Sequence, residues 1–272
     1  MEPHVSEPAG PLRLSRCHAP RDADGADVPP AAVLPGTGSL TAMPLHVITS
    51  MYGEAGLRAL LTAELPALDG PAGLAGQALD LAGELHIADR RQAEPYVNHL
   101  LRVSLRIIRW GIRDPEVAAA ALLHDAVEDH AAALAPGGGR AGALAVLASR
   151  FGERTAALVA AVTNPPRAHG ASDGERRRQY LEHVTASLEA SPWARVVKLS
   201  DHVDNGVGLM WTSGPAVTKL ARKYAPLVPV LAGFAARPDT PLPVPARERV
   251  LRQLGQAGQR FTAILADGDG EA

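Results

Sequence analysis

Five ionisable side chains follow directly on an apolar run over residues 117–123. They are His124, Asp125, Glu128, Asp129 and His130. Burying an unpaired charge is costly, so packing alone does not favour this sequence at the end of an Ala/Leu-rich helix. On a continuous helix, His124 and Glu128 share one face, while Asp125 and Asp129 share the adjacent face. The pattern predicts an acidic, imidazole-bearing patch that a divalent cation would neutralise.

Two residues from other segments could complete a metal site with His124 and Asp125. His99 lies in the preceding periodic segment, and Asp201 lies in a later one. Two imidazoles and two carboxylates suit a borderline divalent ion such as Mn²⁺, Fe²⁺ or Zn²⁺. Adjacent residues on a helix point about 100° apart, so the ion would sit over the helix edge. Neighbouring helices would supply the other ligands, as they do in helical bundles.

The segments that must position these residues are predicted to be helices. An apolar stripe begins at Leu74 and ends near His86, and Pro95 opens a helix that runs to Gly111. Asp114-Pro115-Glu116 combines an N-cap, a first-turn proline and an acid that matches the helix dipole, so one helix should carry the central motif. Further helices are predicted over 141–150, 153–162, 174–190, 193–205, 215–236 and 246–265. Without any βαβ alternation, the fold class is all-α.

Composition divides the chain into a tail and one main domain. Residues 1–43 are rich in Pro, Gly and Ala without periodicity, which predicts a disordered tail. Residues 44–70 form an N-terminal extension with a candidate short helix, weakened by Gly53 and Gly56. The main helical domain is expected over 71–266, and residues 267–272 are expected to be a disordered C-terminus.

Composition also excludes several functional classes. A net charge of −2 argues against broad binding to nucleic acid or to an anionic membrane. No apolar run reaches the roughly 18 residues of a spanning helix, and the N-terminus lacks a signal pattern, so a soluble cytoplasmic protein is expected. The single cysteine, Cys17, excludes an intramolecular disulfide framework. The sequence gives no indication of the oligomeric state.

Three motifs in a fixed order resemble those of the HD-domain phosphohydrolases. They are EPYVNH (94–99), LLHDAVED (122–129) and VVKLSDHVDN (196–205), with YAPL (224–227) following. The resemblance covers about 75–230 and is greatest to the hydrolase domain of the guanosine tetraphosphate (alarmone) synthetase/hydrolase family and its small stand-alone hydrolases. It implies an HD-domain helical bundle.

The resemblance also implies a role for each site residue. The metal, Mn²⁺ in the family, would be held by His99, His124, Asp125 and Asp201. The pair that positions and activates the attacking water would be Glu128 and Asp129. The substrate would be contacted by Arg91 on the guanine, by Asn205 near the metal, and by Tyr96 and Tyr224 in the nucleotide pocket. The residues themselves leave other interpretations open: a solvated helix end for Glu128 and Asp129, an exposed turn for Arg91, and core aromatics for the two tyrosines.

The implied activity is removal of pyrophosphate from guanosine tetraphosphate, without synthetase activity, as part of the stringent response. Two alternatives remain at this point. One is an HD phosphohydrolase acting on another nucleotide or small phosphoester, because Gly206-Val207-Gly208-Leu209 stands where the family carries an Arg and a polar residue. The other is a non-catalytic, ligand-sensing HD module.

Overall fold

Helices make up almost all of the regular structure in the computed structural model, which describes residues 34–91, 94–165, 170, 172–208 and 215–268. The expected all-α class is therefore confirmed. The helices are α1 (Thr37–Ala42), α2 (Leu45–Glu64), α3 (Leu74–Leu85), α4 (Val97–Arg109), α5 (Pro115–Leu123), α6 (Ala126–Leu134), α7 (Gly139–Phe151), α8 (Glu153–Val162), α9 (Asp173–Ala190), α10 (Pro192–Gly208), α11 (Pro215–Tyr224), α12 (Leu227–Ala236) and α13 (Val244–Gly268).

A short antiparallel ribbon joins α3 to α4. Its strands are β1 (Arg90–Arg91) and β2 (Glu94–Pro95), with Arg90 opposite Pro95 and Arg91 opposite Glu94. The ribbon matters for the site because β1 ends with Arg91 and β2 leads directly into α4. A single 3₁₀ turn, Leu65–Ala67, follows α2.

Helix α4 lies at the centre of the fold. It packs against α2, α5 and α10, and almost every side chain from Val97 to Ile108 is buried. Several of those buried side chains are polar, which requires partners inside the fold. They are Asn98, His99, Arg102 and Ser104. The partners of His99 and Arg102 come largely from α10, so the contact between α4 and α10 is the interface on which a polar site can be built.

The helix predicted to carry the central motif is two helices. Its start is as expected, because the Asp114 side chain accepts hydrogen bonds from the backbone N–H groups of Glu116 and Val117. Helix α5 then ends at Leu123 and α6 begins at Ala126. The His124 imidazole donates to the Ala121 carbonyl, a group that in an uninterrupted helix accepts from the residue four positions on. The expectation of one continuous helix, with residues four apart sharing a face, is therefore wrong at this point.

The predicted tail and its boundaries also need correction. Residues 1–33 lie outside the described part of the chain, but residues 37–42, placed in the tail by the sequence, form α1. Arg109 ties this helix to the core by donating to the carbonyls of Leu40 and Met43. The weak candidate helix is the 20-residue α2, which accommodates Gly53 at a kink where φ is +57°.

Two further helix boundaries differ from expectation. The helix predicted over 215–236 is divided into α11 and α12 around Pro226, since proline cannot donate the helical hydrogen bond. Helix α13 continues to Gly268, so the expected disordered C-terminus begins inside a helix, and residues 269–272 lie outside the described part. No single described helix has the length and apolar composition to cross a membrane, although α6 and α7, bent by 89°, have them when taken together.

Candidate metal centre

Three predicted ligands converge in the buried space between α4, α5 and α10. His99 Nε2 lies 3.3 Å from Asp201 Oδ1, and His124 Nε2 lies 3.8 Å from the same oxygen. One ligand atom of each residue lies within 4.8 Å of the other two, and all three side chains are buried. Residues more than a hundred positions apart are thus brought to a common point, at separations that one divalent ion can bridge.

Asp125, the fourth predicted ligand, stands at the edge of this group. Its Oδ2 lies 3.0 Å from His124 Nε2, in a position that does not give a good hydrogen bond, and 3.9 Å from His99 Nε2. The same Oδ2 accepts a hydrogen bond of 2.7 Å from the Tyr96 hydroxyl. Asp125 therefore faces the other three residues and is held by Tyr96, which the sequence had placed in the nucleotide pocket.

The hydrogen bonds of both histidines leave their Nε2 atoms available to a metal. His99 Nδ1 donates to Asp204 Oδ2 at 2.8 Å, and His124 Nδ1 donates to the Ala121 carbonyl at 2.9 Å. A proton on Nδ1 leaves a lone pair on Nε2, which is the arrangement found in histidine-ligated metal sites. His124 Nε2 is buried without a hydrogen-bond partner, a state that a bound cation would relieve. The residues present therefore fit a divalent ion.

Neighbouring charges shift the pKa values of Asp201 and His124. Lys198 Nζ donates to Asp201 Oδ2 at 2.9 Å, leaving Oδ1 directed at the histidines. Burial alone would raise the pKa of Asp201, but Lys198, His99 and His124 together outweigh burial and hold that pKa well below its usual range. Burial alone would lower the pKa of His124, yet Asp125 and Asp201 outweigh it and raise that pKa to about 9. The cluster is thus strongly attractive to positive charge.

Asp204 organises the polar layer behind the centre, and sequence reasoning missed it. It is buried and accepts hydrogen bonds from His99, from Arg102 and, at 2.7 Å, from Arg106. Arg102 in turn donates to Glu94 of β2, at 2.8 and 2.9 Å. A signal was present in the sequence: an acid within the buried stripe of α10, for which two arginines on α4 supply the compensating charge.

The acidic pair at the start of α6 is divided between two environments. Glu128 Oε2 accepts hydrogen bonds from the backbone N–H and the side-chain amide of Asn164, at 3.1 and 2.8 Å. Asp129 is exposed, and partial desolvation, together with the charges of Asp125 and Glu128, raises its pKa to about 6. A carboxylate with its pKa near neutrality can accept a proton from water. Asn164 was not singled out from the sequence.

Three of the four predicted substrate residues meet on the other side of Asp201. Asn205 donates from Nδ2 to Asp201 Oδ1 at 2.7 Å, while its Oδ1 accepts from Arg91 and, at 3.3 Å, from the Tyr224 hydroxyl. These hydrogen bonds connect β1, α10 and α11 to Asp201, one of the predicted metal ligands. Tyr96 is not part of it, because its hydroxyl is bound to Asp125.

Comparison with known proteins adds an independent line of evidence. The HD domain family model matches residues 78–225, which is more than half of the chain. A guanosine-3′,5′-bis(diphosphate) 3′-pyrophosphohydrolase of Aquifex aeolicus is 34% identical over 157 residues, 56% of this chain and 20% of that protein. Guanosine-3′,5′-bis(diphosphate) 3′-pyrophosphohydrolases MESH1 of Danio rerio and Mus musculus are 34% and 35% identical, over 47% of this chain and 65% of each relative. The chain spans less than two thirds of the length of each of these relatives.

Proposed function

The chain belongs to the HD domain family, and on that premise we propose that it is a metal-dependent phosphohydrolase that removes the 3′-pyrophosphate of guanosine tetraphosphate, yielding GDP and pyrophosphate. The observation that carries the proposal is the convergence of His99, His124 and Asp201 beside an acidic pair. The activity after which the relatives are named supports the choice of substrate. We further propose that the protein acts in the cytoplasm.

The metal would be held by His99, His124 and Asp201, with Asp125 at the edge of the same group. We propose Mn²⁺, which accepts both imidazole and carboxylate ligands. A divalent ion in this position lowers the pKa of a bound water and stabilises charge on phosphoryl oxygens. Asp204 and the Ala121 carbonyl keep both imidazole rings in the orientation that directs Nε2 inwards.

The acidic pair would handle the attacking water. Asp129, whose pKa is raised to about 6, would accept a proton from the water as the water oxygen bonds to phosphorus. The bond from that phosphorus to the ribose 3′ oxygen would break, and the 3′ oxygen would take up a proton and leave as the hydroxyl of GDP. Glu128 is fixed by two hydrogen bonds to Asn164 and orients the start of α6, which carries Asp129. This division of roles between the two acids follows from their different partners.

Recognition of the nucleotide would fall to the cluster beyond Asp201. Arg91 supplies a planar cation suited to stacking on guanine or to gripping a phosphate. Asn205 and Tyr224 hold that guanidinium next to the metal ligands through the Asn205 amide oxygen. Substrate entering here would exchange these internal hydrogen bonds for its own. Tyr96 would line the nucleotide pocket next to Asp125, to which its hydroxyl donates.

The direct test uses purified full-length protein with Mn²⁺ and guanosine tetraphosphate. We expect stoichiometric release of GDP and pyrophosphate, and loss of release after chelation and in Asp201→Asn. A matched control is Asp239→Asn, which changes an exposed aspartate far along the chain and should retain activity. Absence of release at micromolar enzyme, with Mn²⁺ bound, would overturn the proposal.

A second candidate is hydrolysis of a different nucleotide or small phosphoester. It is favoured by the residues after Asn205, where Gly206, Val207 and Gly208 provide no cation to grip a phosphate. A panel of nucleotides with and without a 3′-phosphate distinguishes the two. Faster turnover of a nucleotide that lacks the 3′-phosphate would establish the second candidate in place of the first.

A further inference from the structure

We propose that His86, Asp89 and His130 form a second divalent metal site, separate from the centre at His99, His124 and Asp201. The three residues come from different elements: His86 follows the last residue of α3, Asp89 lies in the turn before β1, and His130 lies inside α6. One ligand atom of each lies within 4.8 Å of the others. The HD family motifs include none of these three residues in their ligand set, and the proposed hydrolysis does not use them.

The three ligand atoms of the triad are close enough together to share one ion. Asp89 Oδ2 lies 2.7 Å from His86 Nδ1 and 2.7 Å from His130 Nε2, and the two nitrogens are 3.2 Å apart. Zinc–nitrogen and zinc–oxygen bonds are roughly 2.0–2.2 Å long, so ligand atoms in a tetrahedral shell lie about 3.4 Å apart. The three side chains would therefore move outwards slightly to admit an ion, and all three atoms would then donate lone pairs to it.

The backbone places His130 at this point by leaving the helical conformation. His130 has φ of −127° and ψ of 24°, a break within α6. Its ring meets the His86 ring edge-on, with centroids 4.4 Å apart. Two nitrogens and one carboxylate oxygen, with room for water, suit a borderline ion such as Zn²⁺, Co²⁺ or Fe²⁺.

Burial and charge around the triad also favour a cation. The His86 side chain is 1% exposed, whereas those of His130 and Asp89 are 20% and 36% exposed, so the site has a closed inner end and an open outer end. His86 also lies on the wall of a cavity of about 450 Å³. That wall carries three carboxylates, those of Glu54, Asp80 and Glu84, and one cation, Arg58, which pairs with Glu54, so its formal charge is negative. Negative lining of this kind raises the local concentration of cations.

The second site would brace the first without sharing a ligand with it. The His86 ring stacks on Tyr96 with centroids 4.9 Å apart, and Tyr96 donates to Asp125. Asp89 lies two residues before Arg91, and His130 directly follows Asp129. A cation bound here would therefore fix β1, which carries Arg91, relative to α6, which carries Glu128 and Asp129.

Metal counting tests the inference directly. Full-length protein is stripped with a chelator, dialysed, and titrated with Co²⁺, with bound cobalt measured by elemental analysis and by visible d–d absorption. We expect two Co²⁺ per chain for the wild type and one for His130→Ala. The matched control His183→Ala removes another partly buried histidine, which donates to the Thr163 carbonyl, and should keep two.

A second variant keeps the test valid if His130→Ala does not fold. Asp89→Asn preserves side-chain size and hydrogen bonding but removes the anionic ligand, so we expect it to lose one Co²⁺ as well. A Co²⁺ count that is the same in the wild type and in both variants overturns the inference, whether the wild type binds one ion or two. Because the count uses no nucleotide, it does not depend on the proposed hydrolase activity, and either proposal can fail alone.

Discussion

Asp204 accepts a hydrogen bond of 2.8 Å from His99 Nδ1, so an aspartate that is not a ligand sets the direction of a ligand. The carboxylate is buried and simultaneously bound by Arg102 and Arg106 from α4. The two arginines hold the Asp204 carboxylate in place, and the carboxylate in turn holds the His99 ring through Nδ1. His99 Nε2 is therefore left available to the metal.

We expect Asp204→Asn to weaken metal binding by about 10- to 100-fold, because outer hydrogen-bond partners of metal ligands have effects of that size. Competition with a fluorescent chelator measures the affinity. Asp239→Asn is the control, since Asp239 is an exposed aspartate whose partners are Arg195 and Arg237 rather than a proposed ligand. Circular dichroism should show that the variant is folded. Metal affinity equal to that of the wild type would contradict the role given to Asp204.

Asp129→Asn should lower kcat by about 10²- to 10⁴-fold with little change in bound metal, the effect typical of losing a general base. Glu128→Gln should lower kcat less, because a Gln oxygen can still accept from Asn164. Steady-state kinetics and metal analysis of the two variants provide the comparison. Full turnover by Asp129→Asn would show that the proton goes elsewhere.

Arg91→Ala should raise KM for the nucleotide by about tenfold or more, since hydrogen bonds to charged groups are worth about 1.5–3 kcal/mol. Arg90→Ala is the matched control, because Arg90 is the exposed neighbour on the same strand. We expect kcat to change much less than KM. Equal effects of the two variants on KM would remove Arg91 from the substrate site.

Acid sensitivity should depend in part on His202, a buried histidine packed against the rings of Tyr224 and Phe261. Burial lowers its pKa to about 4, whereas an unfolded histidine titrates near 6.5. Between those pH values the unfolded chain binds a proton that the folded protein does not. The free energy of unfolding therefore falls as pH falls from about 6.5 to about 4.

His202→Leu should remove this contribution, so its free energy of unfolding should decline less steeply over the same pH interval. Urea unfolding at pH 7 and pH 5, in the presence of a chelator, measures the two slopes. The chelator matters because loss of bound metal at low pH would add a second pH dependence. If the free energy of unfolding changed with pH equally in the variant and the wild type, folding would not lower the pKa of His202.

The helical class could be predicted because the apolar periodicity and the Asp114 N-cap are local signals that the fold preserves. The residue types of His99, His124 and Asp201 suggested that they could share an ion, but no local rule relates positions that far apart, and the family resemblance was needed to support their meeting. Side-chain competition with the backbone was harder to foresee. The His124 bond to the Ala121 carbonyl, at the point where α5 ends, does not follow from periodicity.

The triad of His86, Asp89 and His130 was beyond sequence reasoning for a related reason. Its members are spread over the end of one helix, a turn, and a break within another helix, and none of those positions follows from periodicity. Asp204 differs, because its position in the buried stripe of α10 was a signal in the sequence, but it is recognised only when that position is considered together with Arg102 and Arg106 of α4.

Helix α10 holds Asp201, Asp204 and Asn205 within little more than one turn, and each serves a different part of the centre. One residue inserted between Asp201 and Asp204 would swing everything beyond it through about 100°. Asp201, the proposed ligand, would stay in place, while Asp204 and Asn205 would both turn away. The length of this stretch is therefore as tightly constrained as the identity of its three polar residues.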